Sequence, residues 1–168
     1  MCLKKGDILI VFGIDPGYAI VGYGVINKTG SGFSYIAHGA VTTAAKTDFT
    51  DRLFTIYTEI SELLLRYKPD VVSIEKLFFN TNNKTAIDVA QARGVLLLCV
   101  KQAGIPIYEY TPLQVKTSLT GYGRAVKTQV QSMTQRLLRL KELPKPDDAA
   151  DALAMAICHA VSSAWKPR

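Results

Sequence analysis

The first third of the chain reads as strands. Residues 8 to 14 (Ile-Leu-Ile-Val-Phe-Gly-Ile) form a continuous apolar, β-branched run, and residues 19 to 27 form a second across the Asp15-Pro16-Gly17 turn. A third run, 32 to 41, follows the Thr29-Gly30-Ser31-Gly32 turn, so the chain opens with three antiparallel strands. The period then lengthens. Leu53, Ile56, Tyr57, Ile60, Leu63 and Leu64 recur at helical spacing and predict a helix from Phe49 to Tyr67, which Pro69 ends. Val71 to Ile74 is a short buried strand, separated by the polar loop Asn80 to Asn83 from a helix over 85–103. Ile105 to Tyr110 makes a fifth strand, and helices follow over 112–119, 125–140 and 147–164, with Leu143-Pro144-Lys145-Pro146 dividing the last two. Three hairpin strands followed by alternating helix and strand imply one mixed five-stranded sheet with helices on its faces, an α/β fold in a single domain, 1–168. Such sheets place their sites at the carboxyl ends of strands.

Charge narrows the class of partner. Lys and Arg number 20 against 14 Asp and Glu in 168 residues, a net charge of +6, which favours a polyanion. Cys2, Cys99 and Cys158 show no paired spacing and no histidine at zinc spacing, which argues against a disulfide framework and suits a reducing cytoplasm. Lys4-Lys5 ahead of residues 8–12 mimics a signal peptide, but the apolar run is short and ends in Asp15-Pro16-Gly17, so it reads as a buried strand. No stretch is long enough for a membrane span, and no membrane partner is expected.

Against that basic background four acids stand at the ends of apolar segments. Asp15 closes the first strand, Glu75 closes the fourth, and Asp148 and Asp151 lie three apart in the first turn of the last helix. Each has an ordinary reading taken singly: a turn aspartate, a strand end, a residue drawn to a helix N-terminus. Asp147, at the start of the same helix, is assigned to capping. Four carboxylates converging on one sheet edge would repel one another without divalent metal. Two Mg²⁺ ions roughly 4 Å apart need a bridging carboxylate and further oxygen ligands, and Asp15 is the natural bridge. The chemistry such a site performs is hydrolysis of a phosphodiester without a covalent intermediate.

Gly13-Ile14-Asp15-Pro16-Gly17, Gly22-Tyr23-Gly24, Ile74-Glu75 with Phe78, Gln91-Ala92-Arg93-Gly94, and Asp148-Ala149-Ala150-Asp151-Ala152-Leu153-Ala154 together resemble the RuvC family of Holliday junction resolvases, in order and spacing, from about residue 8 to 164. The resemblance implies a ribonuclease H-like fold and a homodimer that nicks two opposed strands of a four-way DNA junction, leaving 5′-phosphate and 3′-hydroxyl ends, in recombination and repair. It implies Mg²⁺, two ions per site, with Mn²⁺ as a substitute, and a RuvAB-type branch-migration complex as partner. By matching positions, Asp15, Glu75, Asp148 and Asp151 are the expected catalytic metal ligands. Lys116 and Lys127 match basic residues that contact the scissile backbone, with Arg124 as a neighbouring cation on DNA. Phe78 matches an aromatic that stacks on an unpaired base, and exposed aromatics beside cations favour such stacking. Tyr18-Ala19 departs from the family, which commonly has a small polar residue and often a basic one there.

Three other readings compete. A catalytically silent junction-binding relative would not need all four acids. An actin-like ATPase or sugar kinase with Gly13 to Gly17 as phosphate loop needs a second lobe. A ribonuclease H acting on RNA/DNA hybrids shares the metal site and is the nearest rival. Gly94, inside a helical pattern, implies close packing, either at a dimer interface or on the sheet.

Overall fold

A computed structural model describes residues 8–30, 32–76 and 83–162, with the side chains of residues 83 and 84 outside that description. Strands β1 (Ile8–Asp15), β2 (Ile20–Thr29) and β3 (Gly32–Thr42) precede helix α1 (Phe49–Tyr67) and strand β4 (Val71–Glu75). Helix α2 (Asn83–Gln102), strand β5 (Ile107–Tyr110) and helices α3 (Pro112–Thr120), α4 (Lys127–Leu137) and α5 (Asp147–Val161) complete the order. The sheet runs β3-β2-β1-β4-β5. β1 pairs antiparallel with β2 and β2 with β3, while β1–β4 and β4–β5 are parallel, as the order of hairpins and crossovers predicts.

Element ends follow local chemistry. Asp48 caps α1 by accepting from Thr50 N at 2.9 Å, and Lys68 closes it in the left-handed conformation just before Pro69. Thr111 and Gln114 form a reciprocal capping box on α3, with Pro112 in its first turn. β5 begins two residues later than the apolar pattern predicts, at Ile107. α4 is shorter than predicted, ending at Leu137, because Arg139 takes a positive φ of 53° that breaks the helical path.

Two cores flank the sheet. On one face Phe12, Ile14, Val72 and Ile74 pack with Ile56 and Ile60 of α1 and Leu96 and Cys99 of α2. On the other, Leu9, Val11, Ile26 and Val71 meet Val115, Leu119, Val130 and the buried face of α5. Both cysteines among the described residues, Cys99 and Cys158, are free and buried as small core groups. Gly94 is different: among the described residues nothing lies within 4 Å of where its Cβ would stand, so it does not pack on the sheet.

Candidate active site

Strand alternation aims both strand-borne acids at the same side of the sheet. Val11 and Val71 belong to the core beneath α5, while Phe12, Ile14, Val72 and Ile74 belong to the opposite one. By the same period of two, Asp15 and Glu75 project toward α5. β1 and β4 are parallel with Ile14 opposite Ile74, so the two acids stand side by side at the carboxyl ends of neighbouring strands.

What brings α5 down onto them is a seat of glycines. A Cβ at Gly13 would lie 2.0 Å from Ala152 O, one at Gly22 2.0 Å from Asp148 O, and one at Gly24 2.6 Å from Leu153 N. Gly13 faces Gly24, and Gly22 faces Asp15, across the β1–β2 pair. The helix returns the fit with Ala149, Ala152 and Ala156, all fully buried. Its first turn is thereby held against the backbone beside Asp15. The Gly22-Tyr23-Gly24 motif has its physical reason in this close approach.

A cavity of about 280 Å³ opens between these elements, lined by Asp15, Glu75, Asp151, Lys116 and Lys127 against an apolar wall of Val115, Val130 and Met155. Burial first, then the charges of Glu75, Asp151 and Asp148, push the Asp15 carboxyl up to about 8, and it hydrogen-bonds Glu75. Burial also raises Glu75, against the lowering effect of that bond. Asp151 is raised by burial, opposed by Lys127, whose Nζ lies 3.0 Å from Asp151 Oδ2 and 3.4 Å from Asp147 Oδ2. Burial pulls the Lys127 ammonium down, but Asp151 and then Asp147 outweigh it and hold it above its usual range.

The metal-free site thus favours a proton held by the Asp15–Glu75 pair, and it sets an ammonium against Asp151. Among the described residues no three acids stand close enough around one point to hold an ion, and Asp151 is engaged by Lys127. The donor set is nevertheless suited to one: carboxylate oxygens are hard ligands, and the charges of Glu75, Asp151 and Asp148 all bear on Asp15. The residues fit a divalent cation.

Of the predicted site residues, Asp15, Glu75, Asp151, Lys116 and Lys127 share the cavity. Asp148 lies outside its lining, yet its charge reaches Asp15 and Asp151. Arg124 is exposed on the turn before α4 and outside the lining. Phe78 lies outside the described residues. The assignment of Asp147 to capping is corrected: Pro146 occupies the cap position with no side-chain bond, and Asp147 pairs with Lys127 of α4 instead. Tyr18 packs away from the acids, its ring 4.5 Å from the Arg52 guanidinium and 6.2 Å from Phe49, and its carbonyl accepts from Thr43 Oγ1 at 2.7 Å. Its place beside Asp15 in sequence ties the turn to α1 and leaves the cavity clear.

The model of the family described as crossover junction endodeoxyribonuclease RuvC matches residues 11–159. The crossover junction endodeoxyribonuclease RuvC of Clostridioides difficile is 56% identical over 155 residues, covering 92% of each protein. That of Ruminiclostridium cellulolyticum is 54% identical over 151 residues, 90% of this chain and 91% of its own. A solved structure of Thermus thermophilus RuvC in complex with Holliday junction substrate superposes with a TM-score of 0.86 at 38% identity, covering 90% of this chain and 93% of that one. The yeast mitochondrial Holliday junction resolvase Ydc2, at 14% identity and a TM-score of 0.66 over 89% of this chain and 77% of its own, shares the fold. The mixed five-stranded sheet expected from the order of elements, and the ribonuclease H-like fold that the family resemblance implies, are the architecture these structures have.

Proposed function

The chain belongs to the RuvC family of metal-dependent crossover junction endodeoxyribonucleases, and on that premise we propose that it resolves four-way DNA junctions by hydrolysing one phosphodiester in each of two opposed strands. The products carry 5′-phosphate and 3′-hydroxyl ends, in recombination and repair. The observation that carries this reading is the juxtaposition of Asp15, Glu75 and Asp151 with Lys116 and Lys127 around one cavity at the carboxyl ends of β1 and β4.

Asp15, Glu75, Asp148 and Asp151 would hold two Mg²⁺ ions, with Mn²⁺ able to replace them. When bound, divalent cations supply Lewis-acid activation of water and neutralise charge at the scissile phosphate. The chain's own residues do the remainder. Asp15 and Glu75 would hold the ions as carboxylates, their shared proton passing to solvent, and Asp151 would do so in place of its ion pair with Lys127. The freed Lys127 ammonium and that of Lys116, both on the cavity wall, then face the DNA backbone and orient the phosphate. Val115, Val130 and Met155 form the apolar wall behind it. Arg124 adds an exposed cation for the flanking duplex, and Phe78 stacks on an unpaired base at the junction.

Two opposed nicks require two sites, and the reading includes a homodimer formed by one domain, 1–168, of each chain. Support comes from α2, where Ile87, Gln91, Gly94 and Leu98 form one exposed stripe at helical spacing. Ile87 is 68% and Leu98 55% exposed, and Gly94 between them opens onto empty space, which permits a second helix to approach closely. A RuvAB-type branch-migration complex and a cytoplasmic setting complete the proposal. Among the described residues no helix is long and apolar enough to cross a membrane.

The test is a cleavage assay on a mobile four-way junction, a linear duplex and an RNA/DNA hybrid, with Mg²⁺ and with chelator. Symmetric metal-dependent nicks confined to the junction are expected. Preferential cutting of the hybrid would replace this reading with a ribonuclease H activity.

A further inference from the structure

One charged residue lies close to the acids without entering their cavity. Arg93 of α2 comes from the opposite face of the sheet and is only 15% exposed. Its Nε donates to the main-chain carbonyl of Glu75 at 3.1 Å, and its Nη2 pairs with Glu109 Oε2 at 2.6 Å. The other end of the same peptide is held too, since Lys76 N donates to Tyr110 O at 2.8 Å. The peptide that follows Glu75 is therefore pinned at its C=O by a helix and at its N–H by a strand. Pinning that plane restrains ψ of Glu75, and with it the backbone from which the side chain leaves the sheet.

The contacts use the guanidinium's shape. One edge of the planar fork reaches the carbonyl while another N–H meets the carboxylate, which a lysine's single point charge does not reproduce in one geometry. Glu109 neighbours Tyr110, the register partner of Glu75, so the clamp joins the ends of β4 and β5 to α2. An ion pair present only for stability has no need of the third partner, the carbonyl of the residue that carries the acid.

We propose that Arg93 is a positioning residue for the metal site: by holding the Glu75 peptide from behind the sheet, it sets the aim of the Glu75 carboxylate and thereby the affinity of the site for divalent metal. This rests on the reading of Glu75 as a metal ligand. Groups that orient ligands from behind commonly change metal affinity by about 10- to 100-fold when removed.

The experiment is calorimetric titration of the full-length protein with MnCl₂, alongside junction binding in chelator, for wild type, Arg93→Gln, Glu109→Gln and Glu75→Gln. Arg93→Gln is expected to weaken Mn²⁺ binding about tenfold, to lower kcat with KM for the junction unchanged, and to bind junction in chelator as wild type does. Glu109→Gln leaves Arg93 in place without its anchor, so a weakening of about threefold is expected, and it serves as the test if Arg93→Gln does not fold. Wild-type Mn²⁺ affinity in the folded Arg93 variant, or in Glu109→Gln should the former not fold, overturns the inference while a loss in Glu75→Gln leaves the site intact. A parallel fall in junction affinity would make Arg93 a DNA contact and overturn it as well. Unchanged Mn²⁺ binding in Glu75→Gln would instead remove the ligand assignment on which the inference stands.

Discussion

Asp15→Asn tests the electrostatics of the site without any DNA. In the folded protein the Asp15 carboxyl is held up at about 8, against 3.8 when unperturbed. Between those values the folded chain keeps a proton that the unfolded chain has released, so stability is complete below 3.8 and is lost as pH rises toward 8. At about 1.4 kcal/mol per tenfold change in proton affinity, the ceiling at pH 8 is about 5 kcal/mol. Water at the cavity mouth and relaxation of the side chains reduce this, and on the order of 3 kcal/mol is expected. Asparagine removes the charge and can still donate to Glu75. In chelator at pH 8 the variant should therefore melt about 6–12 °C above wild type, at roughly 2–4 °C per kcal/mol for a domain of this size. At pH 5 the gain should shrink to about a third, because the unfolded carboxyl is then only partly driven to ionise. Adding Mg²⁺ should raise the wild-type melt and move the variant much less, while junction cleavage is lost and junction binding in chelator persists. A variant that melts below wild type at pH 8, or gains equally at pH 5 and pH 8, would refute the claim that burial of the Asp15 carboxyl, reinforced by the charges of its neighbouring acids, strains the metal-free fold.

Other expectations follow from single contacts. Gly22→Val would drive its side chain into the main chain of Asp148, 2.0 Å from a Cβ, and should cost about 3 kcal/mol in chemical denaturation as well as weaken Mn²⁺ binding. Gly94→Ala meets nothing within 4 Å, so it should stabilise the helix by about 0.5–1 kcal/mol while weakening self-association in sedimentation; unchanged association would move the dimer face elsewhere. His159, 1% exposed and bonded through Nδ1 to Tyr110 Oη at 2.8 Å, is lowered to about 4 by burial and then by Lys28. Its neutral form makes stability complete above its unperturbed 6.5 and loses up to about 3 kcal/mol as pH falls toward 4. In an Asp15→Asn background, His159→Leu should flatten that acid limb of the melting curve. Lys127→Met removes the ammonium from Asp151 and Asp147 and should reduce the slope of log affinity for junction against log salt by about 0.9; an unchanged slope and rate would leave Lys127 a partner of the acids alone.

The chain alone determined which helices and strands form and in what order, because hydrophobic period is a local property: the predicted 49–67 helix is α1 to the residue, and the strand ending at Glu75 is β4. It also exposed the four acids, two closing strands and two near the start of the last helix. Tertiary structure decided the rest, since alternation says that Asp15 and Ile14 face opposite ways but not which face carries α5. Parallel registry of β1 with β4 put Glu75 beside Asp15, and a glycine seat on β1 and β2 let α5 press Asp148 and Asp151 against them. Asp147 illustrates the limit most plainly, as its helix position suggests a cap while a lysine 20 residues earlier claims its carboxylate. Arg93 lay unread within a short motif because its two partners, a carbonyl 18 residues before it and an acid 16 after it, meet only when α2 is laid over the sheet. Contacts of that kind belong to the packing of distant segments, where neither period nor composition carries information.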